Sequence, residues 1–172
     1  DRLEKATPLY QYDFDEVVTV VGGQDKSVHT SGCGAVCIAM AANYLTGQYV
    51  SPETLFRWAC ENDYYQGDGL SHEALSAMAA SLGLDGQWIA NEREPVLAAL
   101  KAGCPVVAHM GKGTFTKGGH YILLRGVAPD GTIYVNDPQS ARHTEAETFS
   151  IDLILKEIRR EDSFMVVKRR LI

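Results

Sequence analysis

Ser31-Gly32-Cys33-Gly34-Ala35-Val36-Cys37-Ile38-Ala39-Met40 is the stretch on which the reading of this chain turns. A cysteine between two glycines opens a helix that is apolar almost all round, through Val36, Ile38, Met40, Ala41, Tyr44 and Leu45. A helix with no polar face is usually the buried centre of a domain. It is predicted over about 32–46, with Ser31 as N-cap and Gly47 as its stop. A thiol in the first turn feels the positive end of the helix dipole, which favours thiolate over thiol.

The second decisive stretch lies far downstream. Gly118-Gly119-His120-Tyr121-Ile122-Leu123-Leu124 sets a histidine at the mouth of a strand, and Asn136-Asp137-Pro138 ends the next strand. Ala128-Pro129-Asp130-Gly131 between them is a strong hairpin turn. Folding about that turn brings His120 near residues 138–140, with Asp137 at the same open end. A one-residue slip would turn the Asp137 side chain to the other face, so the pattern predicts proximity and leaves the register open. Cysteine, histidine and carboxylate in this order are the parts of a thiol-based acyl-transfer enzyme.

The remaining elements place these parts in an α+β layout, helices first and antiparallel strands second. Residues 1–30 read as an extended arm with one strand, Val17 to Val21. Ser51-Pro52-Glu53 starts a second helix with Leu55, Trp58 and Ala59 inward. Ser71 caps a third, Leu75 to Leu82, before Gly83. Trp88-Ile89 suggests a short strand. Asn91 and Glu94 form a capping-box pattern for a fourth helix that ends at Gly103. Strands follow over Pro105 to Met110, 120–125 and Thr132 to Asn136. Ser150 caps a late helix, Ile151 to Arg159, and Phe164 to Lys168 is a last strand. At 172 residues the chain is expected to be a single domain, 1–172.

Composition excludes some functions. A net charge of -6 argues against a nucleic-acid binder. No apolar run is long enough to span a bilayer. Lys168, Arg169 and Arg170 read as the solvated end of the last strand. The chain begins at Asp1 without a hydrophobic leader, and the expectation is an exported bacterial protein, extracellular or at the cell surface. Cys60 and Cys104 either pair or stay as buried free thiols. Oligomeric state leaves no trace in the sequence.

Other residues have plainer readings. Cys33 alone would be a structural thiol; His120 and Asp137 in matching contexts make it the nucleophile candidate. Cys37, one turn on, is core packing. Cys33, Cys37 and a histidine lack the second cysteine pair of a zinc site, so no metal or other cofactor is expected. His109 reads as a core or hairpin-facing histidine, and His29, His72 and His143 as surface residues. Trp58 and Trp88 are core aromatics. The glycine-, threonine- and lysine-rich segment 112–119 precedes a strand, not a helix, which argues against a phosphate loop. It is either a mobile loop beside a cleft or a long strand connection.

These motifs resemble those of the C39-type papain-like cysteine peptidases, including the bacterial C39-like group. Cys33-Gly34, Cys37, Ala39 and Met40 match the family's stretch at the start of its central helix, and Gly32-Cys33-Gly34 the Gly-Cys-Gly of the C39-like group. Gly119-His120-Tyr121 and Asp137-Pro138 match its Gly-His-Tyr and Asp-Pro, in order and across most of the chain. Ala35 departs from a common proline, without chemical consequence. The resemblance implies a papain-like fold: N-terminal helices, the central one carrying Cys33, packed on a C-terminal antiparallel sheet. It also implies a glutamine as oxyanion donor. Gln11, on the leading arm within Leu9-Tyr10-Gln11-Tyr12-Asp13, is favoured, and Gln24 is the alternative. The expected function is thiol hydrolysis of a peptide or amide bond by Cys33, His120 and Asp137 through a thioester. A catalytically silent binding module, or a transpeptidase or amidase on the same machinery, are the alternatives.

Overall fold

A computed structural model describes residues 6–170. The arm contributes a 3-10 turn, Gln11–Asp13, and a small hairpin of β1 (Thr19–Val21) and β2 (Gln24–Lys26). Three helical elements then lead into the core: α1 (Val28–Ser31), α2 (Cys33–Thr46) and α3 (Pro52–Glu61), with α4 (His72–Ser81) after them. The rest is β3 (Leu84–Ile89), α5 (Arg93–Lys101), β4 (Val106–Met110), β5 (His120–Val127), β6 (Ile133–Asn136), α6 (Ala141–Glu145), β7 (Thr148–Phe149), α7 (Ile151–Glu157) and β8 (Phe164–Arg169). Six strands form one sheet in the order β3-β8-β4-β5-β6-β7, with every neighbouring pair antiparallel.

The sheet is covered on both faces. Val107, Tyr121, Leu123, Met165 and Val167 pack with α2, α3 and α4 in one core. Val106, Ala108, Met110, Ile122 and Leu124 face the other way, onto α5 and α7. This period-two alternation explains why β4 and β5 read as almost unbroken apolar runs: both faces are buried.

The α2 helix ends as its sequence predicts, with Gly47 left-handed at φ 72°. Its start differs. Ser27 and Thr30 form a reciprocal capping box, so the chain is already helical from Val28, and Ser31 is the last residue of α1. Gly32 is the N-cap of α2, without a side-chain cap bond. A Cβ there would lie 2.7 Å from the Val28 Cα, so only glycine permits the close turn between α1 and α2. Ser31 Oγ instead accepts from the Tyr65 hydroxyl at 2.9 Å.

The start of α5 shows a similar correction. Its N-cap is Glu92, with no side-chain cap bond. Asn91 serves a tertiary contact: its amide donates to Arg160 O at 2.7 Å, and its Oδ1 accepts from Ser163 N at 3.0 Å. A capping box and a loop clamp use the same polar atoms, and here the clamp wins. The basic end of β8, Lys168 to Arg170, is exposed as expected, and two of its side chains also reach helix ends. Arg169 donates to Leu45 O at 2.7 Å, in the last turn of α2, and Arg170 to Ala80 O at 3.4 Å, in the last turn of α4. A cation there complements the negative helix end. Cys60 and Cys104 are both free thiols.

Candidate active site

Cys33 is the first residue of α2 and is partly exposed, whereas Cys37, one turn on, is fully buried in the core. The second apolar thiol therefore packs and does not face the cleft. Burial pushes the Cys37 thiol well above its ordinary range. For Cys33 burial acts in the same direction but is outweighed. A hydrogen bond from His120, the charge of that ring, and backbone N–H bonds from Tyr121 and Gly34 bring the thiol below its ordinary value.

His120 opens β5 and is 2 % exposed. Its Nε2 lies 2.7 Å from Asp137 Oδ1, which leaves Nδ1 for the thiol side. Burial alone would lower the imidazole, but the Asp137 and Cys33 hydrogen bonds and charges raise it to about 9. A thiol held low and a histidine held high describe a thiolate–imidazolium pair. Asp137 is 1 % exposed. Burial would raise its carboxyl, yet His120, His143 and the Gln139 N–H at 2.9 Å keep it below the usual carboxylate value.

A β-bulge in β5 puts His120 and Asp137 on the same face. Leu123 pairs with Asn136 and Leu124 with Val135, but Gly126 pairs with Tyr134, so one extra residue stands at Arg125. Continuing the Leu123–Asn136 register sets Asp137 opposite Ile122. Ile122 shares a face with His120 by alternation, so the two polar side chains become diagonal neighbours. The register beyond the bulge would have set Asp137 opposite Leu123, facing α2 instead. Arg125 stabilises this arrangement by donating from Nε to Asn136 Oδ1 at 2.8 Å and from its terminal nitrogen to Thr144 O at 3.3 Å.

Met40, at the end of the cysteine motif, joins three parts of the site. Its sulfur accepts from Leu9 N on the arm at 3.2 Å and from Asn136 Nδ2 at 3.5 Å. The arm is fastened again where Gln11 N donates to Pro138 O at 2.8 Å. The Gln11 side chain is buried, donates from Nε2 to His29 O at 2.9 Å, and leaves Oε1 without a partner. Gln11, Cys33, His120 and Gln139 together line a cavity of about 280 Å³. Gln24 is exposed on the hairpin, where its Oε1 accepts from Lys26 Nζ at 3.4 Å.

A larger cavity of about 810 Å³ opens on the other side of Cys33. Its walls include Leu70, Glu73, His109, Tyr121, Arg159 and Arg160. Asp68, Gly69, Gly119 and His120 line both cavities, so Cys33 sits at a waist between two depressions. Segment 112–119 is fastened beside this cleft. Thr114 donates from N and Oγ1 to the Glu157 carboxylate at 2.6 and 3.0 Å, and Arg159 donates to Gly118 O at 2.7 Å.

Two histidines read as surface residues are not. His143 is 8 % exposed, and its Nδ1 is 2.8 Å from Asp137 Oδ2. His72 is half-buried, stacks on Trp88 at 3.7 Å and meets His109 through Nε2···Nδ1 at 2.9 Å. Burial lowers both: His72 to about 4, and His109, with the neighbouring His72 charge as second cause, to about 3. No sequence pattern marked either contact, because both depend on elements distant in the chain or on a short turn after Asp137-Pro138. His29 is exposed as expected, with Nδ1 2.6 Å from Asp15 Oδ1.

A thiol at the head of a buried helix, facing a histidine on an antiparallel sheet, defines the class as a papain-like fold. The model of the Peptidase C39 like family matches residues 5–156, and the chain belongs to that family. Among solved structures it resembles the peptidase domain of Streptococcus ComA, a bifunctional ABC transporter involved in quorum sensing. That match has a TM-score of 0.62 at 18 % identity and covers 82 % of this chain and 93 % of the other. It also resembles a double glycine motif protease from an AMS/PCAT transporter, solved with its leader peptide. There the TM-score is 0.56 at 17 % identity, covering 95 % and 99 %. No curated protein matches the chain. No group of three or more histidine, cysteine or acidic side chains that could hold a metal ion occurs among the described residues, and no helix among them is long and apolar enough to cross a membrane.

Proposed function

We propose that this protein is a cysteine peptidase that cleaves a peptide or amide bond through a thioester. The observation that carries the proposal is the line Cys33, His120, Asp137, with its thiol end at the waist of an open cleft. The Cys33 thiolate attacks the carbonyl carbon, forming the C–S bond. The carbonyl oxygen takes up the negative charge at the helix start, where the donors are the Cys33 amide and the second N–H of Gln11 Nε2, whose first N–H is held by His29 O. The His120 imidazolium then gives its proton to the leaving amine as the C–N bond breaks. Water, deprotonated by the neutral ring, hydrolyses the thioester and returns thiolate and imidazolium. Asp137 holds the ring orientation and balances its charge throughout.

The direct test is the pH dependence of Cys33 alkylation by iodoacetamide, mapped by mass spectrometry. Wild type is expected to label fast near pH 6, while His120→Ala labels only as an ordinary thiol ionises, near a pKa of about 8.5. Labelling of the wild type that also waits for that pH would point to a silent binding module.

The same pair sets the activity profile. The thiolate must be present, so turnover rises as pH climbs through the lowered Cys33 value. The His120 proton must also be present, so turnover falls as pH passes about 9. Above that limb kcat/KM is expected to drop about tenfold per pH unit, which a peptide-cleavage profile measures.

A further inference from the structure

The proposed chemistry uses three of the four side chains that are joined in line at this site. The fourth is His143, on the far side of Asp137 from His120. Asp137 Oδ1 has two donors, His120 Nε2 at 2.7 Å and Gln139 N at 2.9 Å. Oδ2 faces His143 Nδ1 at 2.8 Å. The carboxylate is 1 % exposed, so water does not solvate the second oxygen. His143 itself is tightly held. Its amide donates to Ser140 Oγ at 3.0 Å, fixing it in the first turn of α6, and its ring packs edge to face against both Phe115 and Phe149, at 5.2 and 5.4 Å. The next residue, Thr144, accepts the Asp137 N–H at 2.8 Å. One short helix therefore grips both the backbone and the carboxylate of Asp137.

We infer that His143 is a positioning residue of the thiol site, holding Asp137 as an oriented carboxylate behind His120. The inference rests on the cysteine-peptidase reading above. A carboxylate with donors on both oxygens cannot rotate about its Cβ–Cγ bond without breaking one of them, so its plane is set for the His120 ring. A buried carboxylate deprived of one donor holds its charge less well and takes up a proton more readily. A neutral Asp137 would no longer balance the imidazolium, and the thiolate population would fall with it. The other charged groups near His143 already have partners. Arg125 of β5 reaches Asn136 and Thr144 O, Arg142 pairs with Glu147, and Glu145 accepts from Tyr10. Phe115 and Phe149 bring no charge. His143 is thus the donor that Oδ2 has among the described residues.

The test compares the pH dependence of Cys33 alkylation in wild type, His120→Ala, His143→Phe and His143→Asn, with thermal melts of each. Phenylalanine keeps the packing against the two neighbouring rings and removes the donor. Asparagine carries Nδ2 on Cγ, where the histidine carries Nδ1, and so restores the donor at nearly the same place. His143→Phe is expected to label at least about tenfold more slowly than wild type near pH 6, with its curve moved to higher pH by about one unit. His143→Asn is expected to stay within about threefold of wild type. Wild-type labelling in His143→Phe overturns the inference, and so does an equal loss in both variants, which would mark the ring as packing alone. Should the phenylalanine fail to fold, His143→Leu replaces it with the same expectations. If wild type labels no faster than His120→Ala near pH 6, the cysteine-peptidase reading fails and takes this inference with it.

Discussion

A Cys33→Ala variant is expected to keep its fold and to lose peptide hydrolysis by roughly six orders of magnitude, the scale seen when a covalent nucleophile is removed. The two effects separate because Cys33 is at the solvent-facing start of α2. The residues that bury the helix are Val36, Cys37, Ile38, Ala39 and Met40, and they are untouched. Alanine is also a good helix former in a first turn. The change in stability should therefore stay within about 1 kcal/mol. Digestion of a peptide library, read by mass spectrometry, checks the activity half: cleavages made by wild type should vanish. A denaturant titration checks the other half. Retained cleavage by Cys33→Ala would remove the nucleophile assignment altogether.

The second large effect is expected at Asp137→Asn, a loss of kcat between about 10²- and 10⁴-fold. The surroundings of Asp137 make this a test of charge rather than geometry. The amide oxygen can keep the two donors now on Oδ1, His120 Nε2 and Gln139 N. The NH₂ would then face His143 Nδ1, which accepts once its own proton moves to Nε2. The hydrogen bonds survive in that tautomer, but the negative charge does not. Without it the His120 ring is held less strongly as imidazolium, and Cys33 less strongly as thiolate. Cys33 alkylation near pH 6 should fall along with kcat, while KM for a cleaved peptide stays close to wild type. A variant with wild-type kcat would show that His120 needs no carboxylate behind it.

Part of this site is legible in local sequence because its causes are local. Gly47 ends α2 because a left-handed residue is needed there, and Ser51-Pro52 and Ser150 start α3 and α7 through caps that act over three residues. The hairpin turn at Pro129-Asp130 brings the ends of β5 and β6 together whatever their register. Other expectations failed where the same atoms had a more distant partner. Ser31 could cap a helix, but Ser27 starts one earlier and Tyr65 takes the Ser31 hydroxyl. Asn91 could cap α5, but the 160–163 segment claims its amide. His143 follows Asp137 too closely to look like more than a surface turn, and only the coil of α6 points it back at the carboxylate.

What the sequence determined by itself was the kind of domain and which residues are candidates for its site. An all-round apolar helix must be buried, apolar strands must cover it, and a glycine-flanked cysteine, a histidine and an aspartate fall at the ends of those elements. What only the tertiary structure decided was whether the last two face each other. A period-two strand turns its side chains over with each step of register, and the step here comes from one bulged residue, Arg125. No local preference requires that bulge. The Arg125 contacts with Asn136 and Thr144 exist only once β6 and α6 are packed beside β5, so the position of the Asp137 carboxylate against His120 is a property of the folded chain.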